Sequence, residues 1–316
     1  VSGDGAALGR RLRERDLSAA PAALNLLEST APADVREAAA LLAEVSPGRL
    51  GGEAPAHVIG VTGPPGAGKS TLLSALVGAW RRAGRTVAML AVDPSSRRSG
   101  GSLLGDRARV EIDPADLGVL IRSTAAGERL GGIARATRIA AEALSAAFDV
   151  VVIETVGVGQ AETEIAEVAD TVAVVVQPGS GDVLQFLKSG IMEIPDVLVV
   201  TKADLGEIAL RTRRDLSAAL RSLGSDAGVV AVSSIAPVSG VDELLAALDA
   251  HRAGADVAGR RSRLRREGAL TEFTLQYGER GVQAIGGREA AAAVLAQEPD
   301  TSDSASLLAA LAERLP

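Results

Sequence analysis

Gly63-Pro64-Pro65-Gly66-Ala67-Gly68-Lys69-Ser70 has the residue types and spacing of a G-x-x-x-x-G-K-[ST] phosphate loop. Glycines let the backbone turn its N–H groups inward around a phosphate, and a helix that follows adds the positive end of its dipole. Both flanks suit that geometry: the apolar run Val58-Ile59-Gly60-Val61 precedes the loop, and the helical pattern Thr71-Leu72-Leu73-Ser74-Ala75-Leu76 follows it. In such a loop Lys69 reaches the β- and γ-phosphates and the Ser70 hydroxyl ligates magnesium. Residues Gly63 to Thr71 therefore open the candidate nucleotide-binding set.

Four further segments follow apolar runs, where an open α/β sheet carries its ligand residues. The run Val87 to Val92 ends in Asp93-Pro94-Ser95-Ser96, followed by Ser99-Gly100-Gly101-Ser102 and Leu104-Gly105-Asp106. Asp93 can orient magnesium or its waters, and a loop holding Asp106 can swing in with a γ-phosphate, as switch loops do. Single acidic residues also occur in plain polar turns, so both carry that alternative. The run Val150 to Ile153 ends in Glu154-Thr155-Val156-Gly157-Val158-Gly159-Gln160. An acidic residue there suits the magnesium shell, and Gly157 leaves room for its N–H to approach the γ-phosphate. Lys69, Glu154 and Gly157 are thus the candidate catalytic residues, and Ser70, Asp93, Asp106 and Glu154 the candidate metal set.

Val197 to Val200 ends in Thr201-Lys202-Ala203-Asp204, an [NT]-K-x-D pattern. One carboxylate at Asp204 accepts from both N1–H and the 2-amino group of guanine, a donor pair that adenine lacks, while the Lys202 stem lies along the ring. This favours GTP over ATP. Val229 to Val232 ends in Ser233-Ser234, placed like a last guanine-contacting loop, with an ordinary strand-to-loop serine pair as the alternative. His57 and His251 are too far apart in sequence to suggest a metal pair and read as structural, and Trp80 reads as core or rim packing.

These residues need a scaffold of parallel strands. Apolar, β-branched runs at 58–61, 86–92, 119–121, 150–153, 171–176, 197–200 and 229–232 alternate with amphipathic stretches, which predicts an α/β fold with a mainly parallel sheet covered by helices. Residues 1–52 read as an N-terminal helical extension that ends at Pro47-Gly48-Arg49-Leu50-Gly51-Gly52, residues 53–255 as the nucleotide-binding domain, and 256–316 as a C-terminal helical extension.

Composition narrows the partners. The formal charge is -7 and aromatics make up 2% of the 316 residues, so neither electrostatic attraction to a phosphate backbone nor base stacking favours nucleic acid. No apolar stretch is long enough to span a bilayer, and the start of the chain lacks a basic segment followed by an apolar core. The absence of cysteine removes disulfides, thiol catalysis and Cys-ligated zinc. A cytoplasmic protein with no membrane partner is expected. Arg260-Arg261-Ser262-Arg263-Leu264-Arg265-Arg266 reads as a solvated helix face, or else as a contact for an acidic partner surface.

Taken together, Gly63 to Thr71, Ala91 to Ser96, Ser99 to Ser102 with Leu104 to Asp106, Glu154 to Gln160 and Lys202-Ala203-Asp204 closely resemble the MeaB/ArgK/MMAA family over roughly residues 10 to 255. These are G-protein chaperones of adenosylcobalamin-dependent acyl-CoA mutases, above all methylmalonyl-CoA mutase. The resemblance implies a P-loop GTPase of the signal-recognition-like class that uses GTP/GDP and Mg2+, forms a homodimer through its C-terminal helices, and gates loading, protection and reactivation of the mutase cofactor. It also implies a third switch over Val183 to Lys188, in which Gln185 and Lys188 couple nucleotide state to the mutase. Two departures stand out: the family usually has Asn where this chain has Thr201, and the segment Phe273 to Gly278 does not match the family's dimer arm.

Three other classes compete. An arginine or ornithine kinase-like phosphotransferase needs an acceptor pocket with its own base, for which no motif stands out. A nickel-delivery GTPase relies on His and Cys ligands, whereas this chain has two His and no Cys. A signal-recognition GTPase would need a Met-rich peptide surface, and the chain has two Met.

Overall fold

The computed structural model describes residues 4–93, 113, 115–125, 135–155, 164–179 and 195–316. Helices α1 (Gly5–Arg13), α2 (Ala20–Glu28), α3 (Pro32–Glu44) and the single turn α4 (Pro47–Leu50) come first. Strand β1 (His57–Thr62) leads through the phosphate loop into α5 (Lys69–Arg82), followed by β2 (Val87–Asp93) and β3 (Val119–Ala125). Next come α6 (Arg135–Ser145), β4 (Val150–Thr155), β5 (Thr171–Val176) and β6 (Val197–Val200). The alternation closes with α7 (Glu207–Ser222), β7 (Gly228–Ala231) and α8 (Val241–Gly254), and α9 (Val257–Ala284), α10 (Gly287–Gln297) and α11 (Ser304–Ala312) end the chain.

The chain divides into two compact units. One, residues 57–134 and 149–255, is built on a seven-stranded sheet in the order β3-β2-β4-β1-β5-β6-β7. Every strand pair is parallel. The expected α/β class with a mainly parallel sheet is therefore present, and the seven strands fall on the seven apolar runs. Every residue of β1, β4, β5 and β6 is buried, as a sheet with both faces covered requires. Leu73, Leu76, Val77 and Trp80 of α5 share one core with Val152, Val175 and Val199 of the strands and Leu244 of α8. Each such large side chain contributes about 1.5–3 kcal/mol on burial.

Strand order sets the site. β4 inserts between β1 and β2, so Val61 is in register with Glu154, which faces Ala91 on its other side. On the opposite flank of β1, Thr62 pairs with Val174 of β5, and β6 follows β5. The carboxyl ends of β2, β4, β1, β5 and β6 thus lie side by side, around the point where the chain order reverses.

The amino-terminal edge of the same sheet is tied down by carboxylates. Asp170, Asp196 and Asp149 accept hydrogen bonds from the backbone N–H of Val58 (2.9 Å), Val172 (2.8 Å) and Thr86 (2.8 Å). The two histidines meet here. His57 Nε2 and His251 Nδ1 each lie 2.8 Å from Thr171 Oγ1, and His251 Nε2 lies 3.2 Å from Asp196. The Arg85 guanidinium, bonded to both oxygens of Asp249, holds that carboxyl below its usual range.

The second unit comprises residues 1–56, 135–148 and 256–316. Residues 135–148, which the sequence reading leaves inside the nucleotide-binding segment, group with these helices. Phe273 and Val282 of α9, Leu295 of α10 and Leu307 and Leu311 of α11 form its C-terminal core. α9 is broken at Gly278, whose left-handed φ of 69° an L side chain would resist. The arginine run is not a solvated face. Arg261 donates to the carbonyls of Ala54 and Ala56 at 2.7 Å each, and Arg265 grips Glu53 bidentately at 3.0 and 2.6 Å. Arg266 donates to the carbonyls of Leu295 and Glu298 at 2.9 Å each. Guanidinium forks suit such convergent acceptors, which a sequence with no three-dimensional context does not reveal.

Candidate nucleotide-binding site

The phosphate loop leaves β1 at Gly63, where φ is 145° and an added Cβ would lie 2.1 Å from the Val175 carbonyl oxygen of β5. A side chain there would strike backbone, so the sequence supplies glycine. Gly66 and Gly68 take left-handed φ values of 78° and 89°. Gly68 is the N-cap of α5 and provides no side-chain cap, which leaves the first-turn N–H groups facing the loop for an anion. Lys69 is buried, and its Nζ donates to the carbonyls of Gly63 (2.6 Å) and Pro64 (3.2 Å), so the cation sits inside the loop.

Beside the loop, Ser70 Oγ lies 3.5 Å from Glu154 Oε1, a contact created by the β1–β4 register. A hydroxyl and a carboxylate are hard oxygen donors of the kind magnesium takes. Thr155 Oγ1 donates to Thr62 Oγ1 at 2.9 Å and so links the ends of the same two strands. Asp93 ends β2 one position beyond the Val92–Thr155 pair, which places its backbone on this edge. Asp106, Gly157, Gln185 and Lys188 lie outside the described residues.

The other flank carries the residues expected to read the base. Thr201 is buried, and its hydroxyl is 2.5 Å from the Ala67 carbonyl and 3.1 Å from that of Val176. It braces the phosphate loop against β5. Lys202 has a left-handed φ of 54°, and its Nζ lies 2.5 Å from Gln177 Oε1 and 3.4 Å from the Gly66 carbonyl. The exposed Asp204 accepts a hydrogen bond from Ser233 Oγ at 3.2 Å, and Ala203 N–H donates to the Val232 carbonyl at 3.1 Å. Ser233 is fixed in turn by mutual backbone bonds with Ser239, both 3.0 Å, and Ser234 is half-buried beside it. Loops far apart in sequence, 63–70, 201–204 and 233–239, therefore converge. Sequence reasoning missed Gln177 and the Thr62–Thr155 pair. Their signal was position alone, each being a polar residue at the carboxyl end of an apolar strand.

A family model described as Methylmalonyl Co-A mutase-associated GTPase MeaB matches residues 20–285. A Pyrococcus horikoshii protein named as a GTPase is 47% identical over 195 residues, covering 61% of this chain and 59% of the relative. The match thus spans less than two thirds of that relative's length. A Pyrococcus abyssi protein named as a GTPase is 41% identical over 266 residues, covering 81% of this chain and 79% of its own. The crystal structure of a LAO/AO transport system kinase matches with a TM-score of 0.65 at 27% identity, covering 98% of this chain and 96% of that one.

Proposed function

The chain belongs to the methylmalonyl Co-A mutase-associated GTPase MeaB family, and from that premise we propose that it is a Mg2+-dependent G protein that hydrolyses GTP to gate adenosylcobalamin loading, protection and reactivation of a B12-dependent acyl-CoA mutase. The observation that carries the reading is the convergence of Lys69 and the Ser70–Glu154 pair with Lys202 and the Asp204–Ser233 pair around one loop.

In this reading the N–H groups of the loop and of the first turn of α5 bind the phosphates, and Lys69 moves its ammonium from the loop carbonyls to the β- and γ-oxygens. Ser70 and Glu154, with Asp93 and Asp106, would hold Mg2+, which when bound would neutralise charge on the phosphates. Gly157 offers its N–H to the γ-phosphate. Asp204 accepts the two guanine donors, Ser233 keeps that carboxylate in place, and the Lys202 stem covers the ring. Against adenine, Asp204 would stand without those donors, at a cost of about 1–3 kcal/mol. Gln185 and Lys188 transmit nucleotide state to the mutase. We further assign residues 1–52 and 256–316 as helical extensions of a 53–255 GTPase domain, the C-terminal one serving homodimerisation, and place the protein in the cytoplasm. Among the described residues no helix is long and apolar enough to cross a membrane.

The test is GTP hydrolysis with and without a purified cobalamin mutase, for wild type, Lys69→Ala and Lys188→Ala. Wild type alone turns over slowly, at about 10⁻² s⁻¹ or less. Lys69→Ala abolishes turnover without unfolding, the mutase accelerates wild type, and Lys188→Ala loses that acceleration. If no mutase alters the rate and cofactor transfer ignores the nucleotide, the chaperone role fails while the GTPase assignment stands.

A further inference from the structure

Lys202 takes a conformation that its neighbours impose. Its φ of 54° is left-handed, a region that a long L side chain enters only where the surrounding structure holds it. Backbone bonds do so on both sides: the Thr201 N–H donates to the Val176 carbonyl at 2.9 Å, and the Ala203 N–H to the Val232 carbonyl at 3.1 Å. They fix where the Lys202 side chain starts, and a second set of contacts fixes where it ends.

Two neutral oxygens take the ammonium. Gln177 Oε1 lies 2.5 Å from Lys202 Nζ, and the Gly66 carbonyl, at 3.4 Å, stands at the long end of hydrogen-bond range. Among the described residues Lys202 forms no ion pair, and the neighbouring Thr201 hydroxyl is turned to the carbonyls of Ala67 and Val176. An ammonium only donates, so the Gln177 amide faces it with its oxygen, in a charge-assisted bond that is the closer of the two. Gln177 is itself placed by the sheet. It follows Val176, the last residue of β5, which is in register with Val200 of β6. Pro178 follows, and a residue before proline is confined to extended backbone.

Resting on the functional reading above, we propose that Gln177 is a positioning residue for the base of a bound guanine nucleotide: by holding the Lys202 ammonium it keeps that side chain's stem where the purine ring lies. The stem covers a purine of either kind, whereas Asp204 tells guanine from adenine. Gln177 therefore sets how tightly the ring is held and leaves the choice of base to Asp204. Lys202 is exposed, so water shares its ammonium and the loss on removing Gln177 is modest, about 3- to 10-fold in affinity.

The experiment measures equilibrium binding of GTP, ATP and inorganic tripolyphosphate to wild type, Gln177→Leu, Gln177→Ala, Lys202→Met and the double variant Gln177→Leu/Lys202→Met. Both Gln177 variants remove the acceptor, so each binds GTP and ATP about 3- to 10-fold more weakly at an unchanged ratio. Tripolyphosphate, which has no base, binds them like wild type. In the Lys202→Met background Gln177→Leu adds no further loss, because the two residues act as one. Wild-type GTP affinity in both Gln177 variants overturns the assignment and spares the functional reading. An equal loss for tripolyphosphate also overturns it, by showing that Gln177 supports the phosphate loop and not the base. So does a full Gln177→Leu effect in the absence of Lys202. Wild type that binds GTP no better than ATP overturns the functional reading, and the assignment with it.

Discussion

Thr201→Val isolates the brace between the phosphate loop and the strand that leads to the base. The Thr201 hydroxyl sits 2.5 Å from the carbonyl of Ala67, a residue with no exposed surface, and is itself buried. Valine fills nearly the same space without the donor. The Val176 carbonyl keeps the backbone N–H of Thr201 at 2.9 Å, so the loss falls on Ala67. Leaving one buried carbonyl without this donor costs about 1–3 kcal/mol, or about 5- to 150-fold in an equilibrium constant. Because Ala67 lies inside the loop proposed to cradle the phosphates, GTP and GDP affinity should fall together by a factor in that range. The ratio of GTP to ATP affinity should not change, since the proposed reading rests it on Asp204. Titration with a fluorescent guanine nucleotide, followed by competition with unlabelled GTP, GDP and ATP, reads both quantities. Affinity indistinguishable from wild type would refute the brace. Loss of guanine preference at unchanged affinity would show instead that Thr201 contacts the base.

Asp204→Asn should shift preference from guanine toward xanthine nucleotides, because the new amide donates to the extra ring oxygen; competition binding in which GTP still excels over XTP sinks the base-reading role. In the helical unit, burial pushes the Glu142 carboxyl above its ordinary value of 4.5, and the Ser304 hydroxyl only partly offsets this. The fold therefore holds that proton more tightly than the unfolded chain does, so its contribution is complete below pH about 4.5 and is lost as pH rises toward the folded value. Glu142→Gln should then unfold at a higher temperature than wild type near pH 8, with the gap closing near pH 4, and a pH-independent gap contradicts the argument. Arg261→Ala strips two carbonyls of their donor and should cost about 1–3 kcal/mol in denaturant unfolding, while the exposed Arg263→Ala should be close to neutral; equal effects would return the arginine run to a solvated face.

Much of the fold was legible because its signals are local. Strands buried on both faces must be apolar throughout, and each of the seven runs carries that mark in its own residues. The phosphate loop was legible for a similar reason, since glycine, lysine and hydroxyl all act within one turn of chain. Contacts between distant segments were not legible. Arg261 looks the same in sequence whether it meets water or the carbonyls of Ala54 and Ala56. His57, Thr171 and His251 meet because β1 and β5 are neighbours and α8 lies against them, an adjacency no spacing encodes. Thr201 was expected in the nucleotide set, and its hydroxyl is turned toward backbone because a threonine in that register has two carbonyls within reach.

The two edges of the sheet differ in how they satisfy their polar backbone, and that difference explains where function can sit. At the amino edge, Asp149, Asp170 and Asp196 occupy the leading N–H groups of the strand segments, and Thr171 joins two histidines to the same frame. The backbone donors of Val58, Val172 and Thr86 there have partners within the chain. At the carboxyl edge the chain uses glycine where a side-chain cap would normally stand, so the first N–H groups of α5 face the loop opening. An anion satisfies those donors as a serine or aspartate cap would, and the dipole of a fourteen-residue helix adds to its binding. The uncapped N–H groups at the start of α5 thus lie at the edge where strand order also brings together Ser70, Glu154, Lys202 and Asp204. Placing a capping side chain at Gly68 would occupy those N–H groups as well as force a left-handed φ on an L residue, which is why the glycine serves binding and the helix alike.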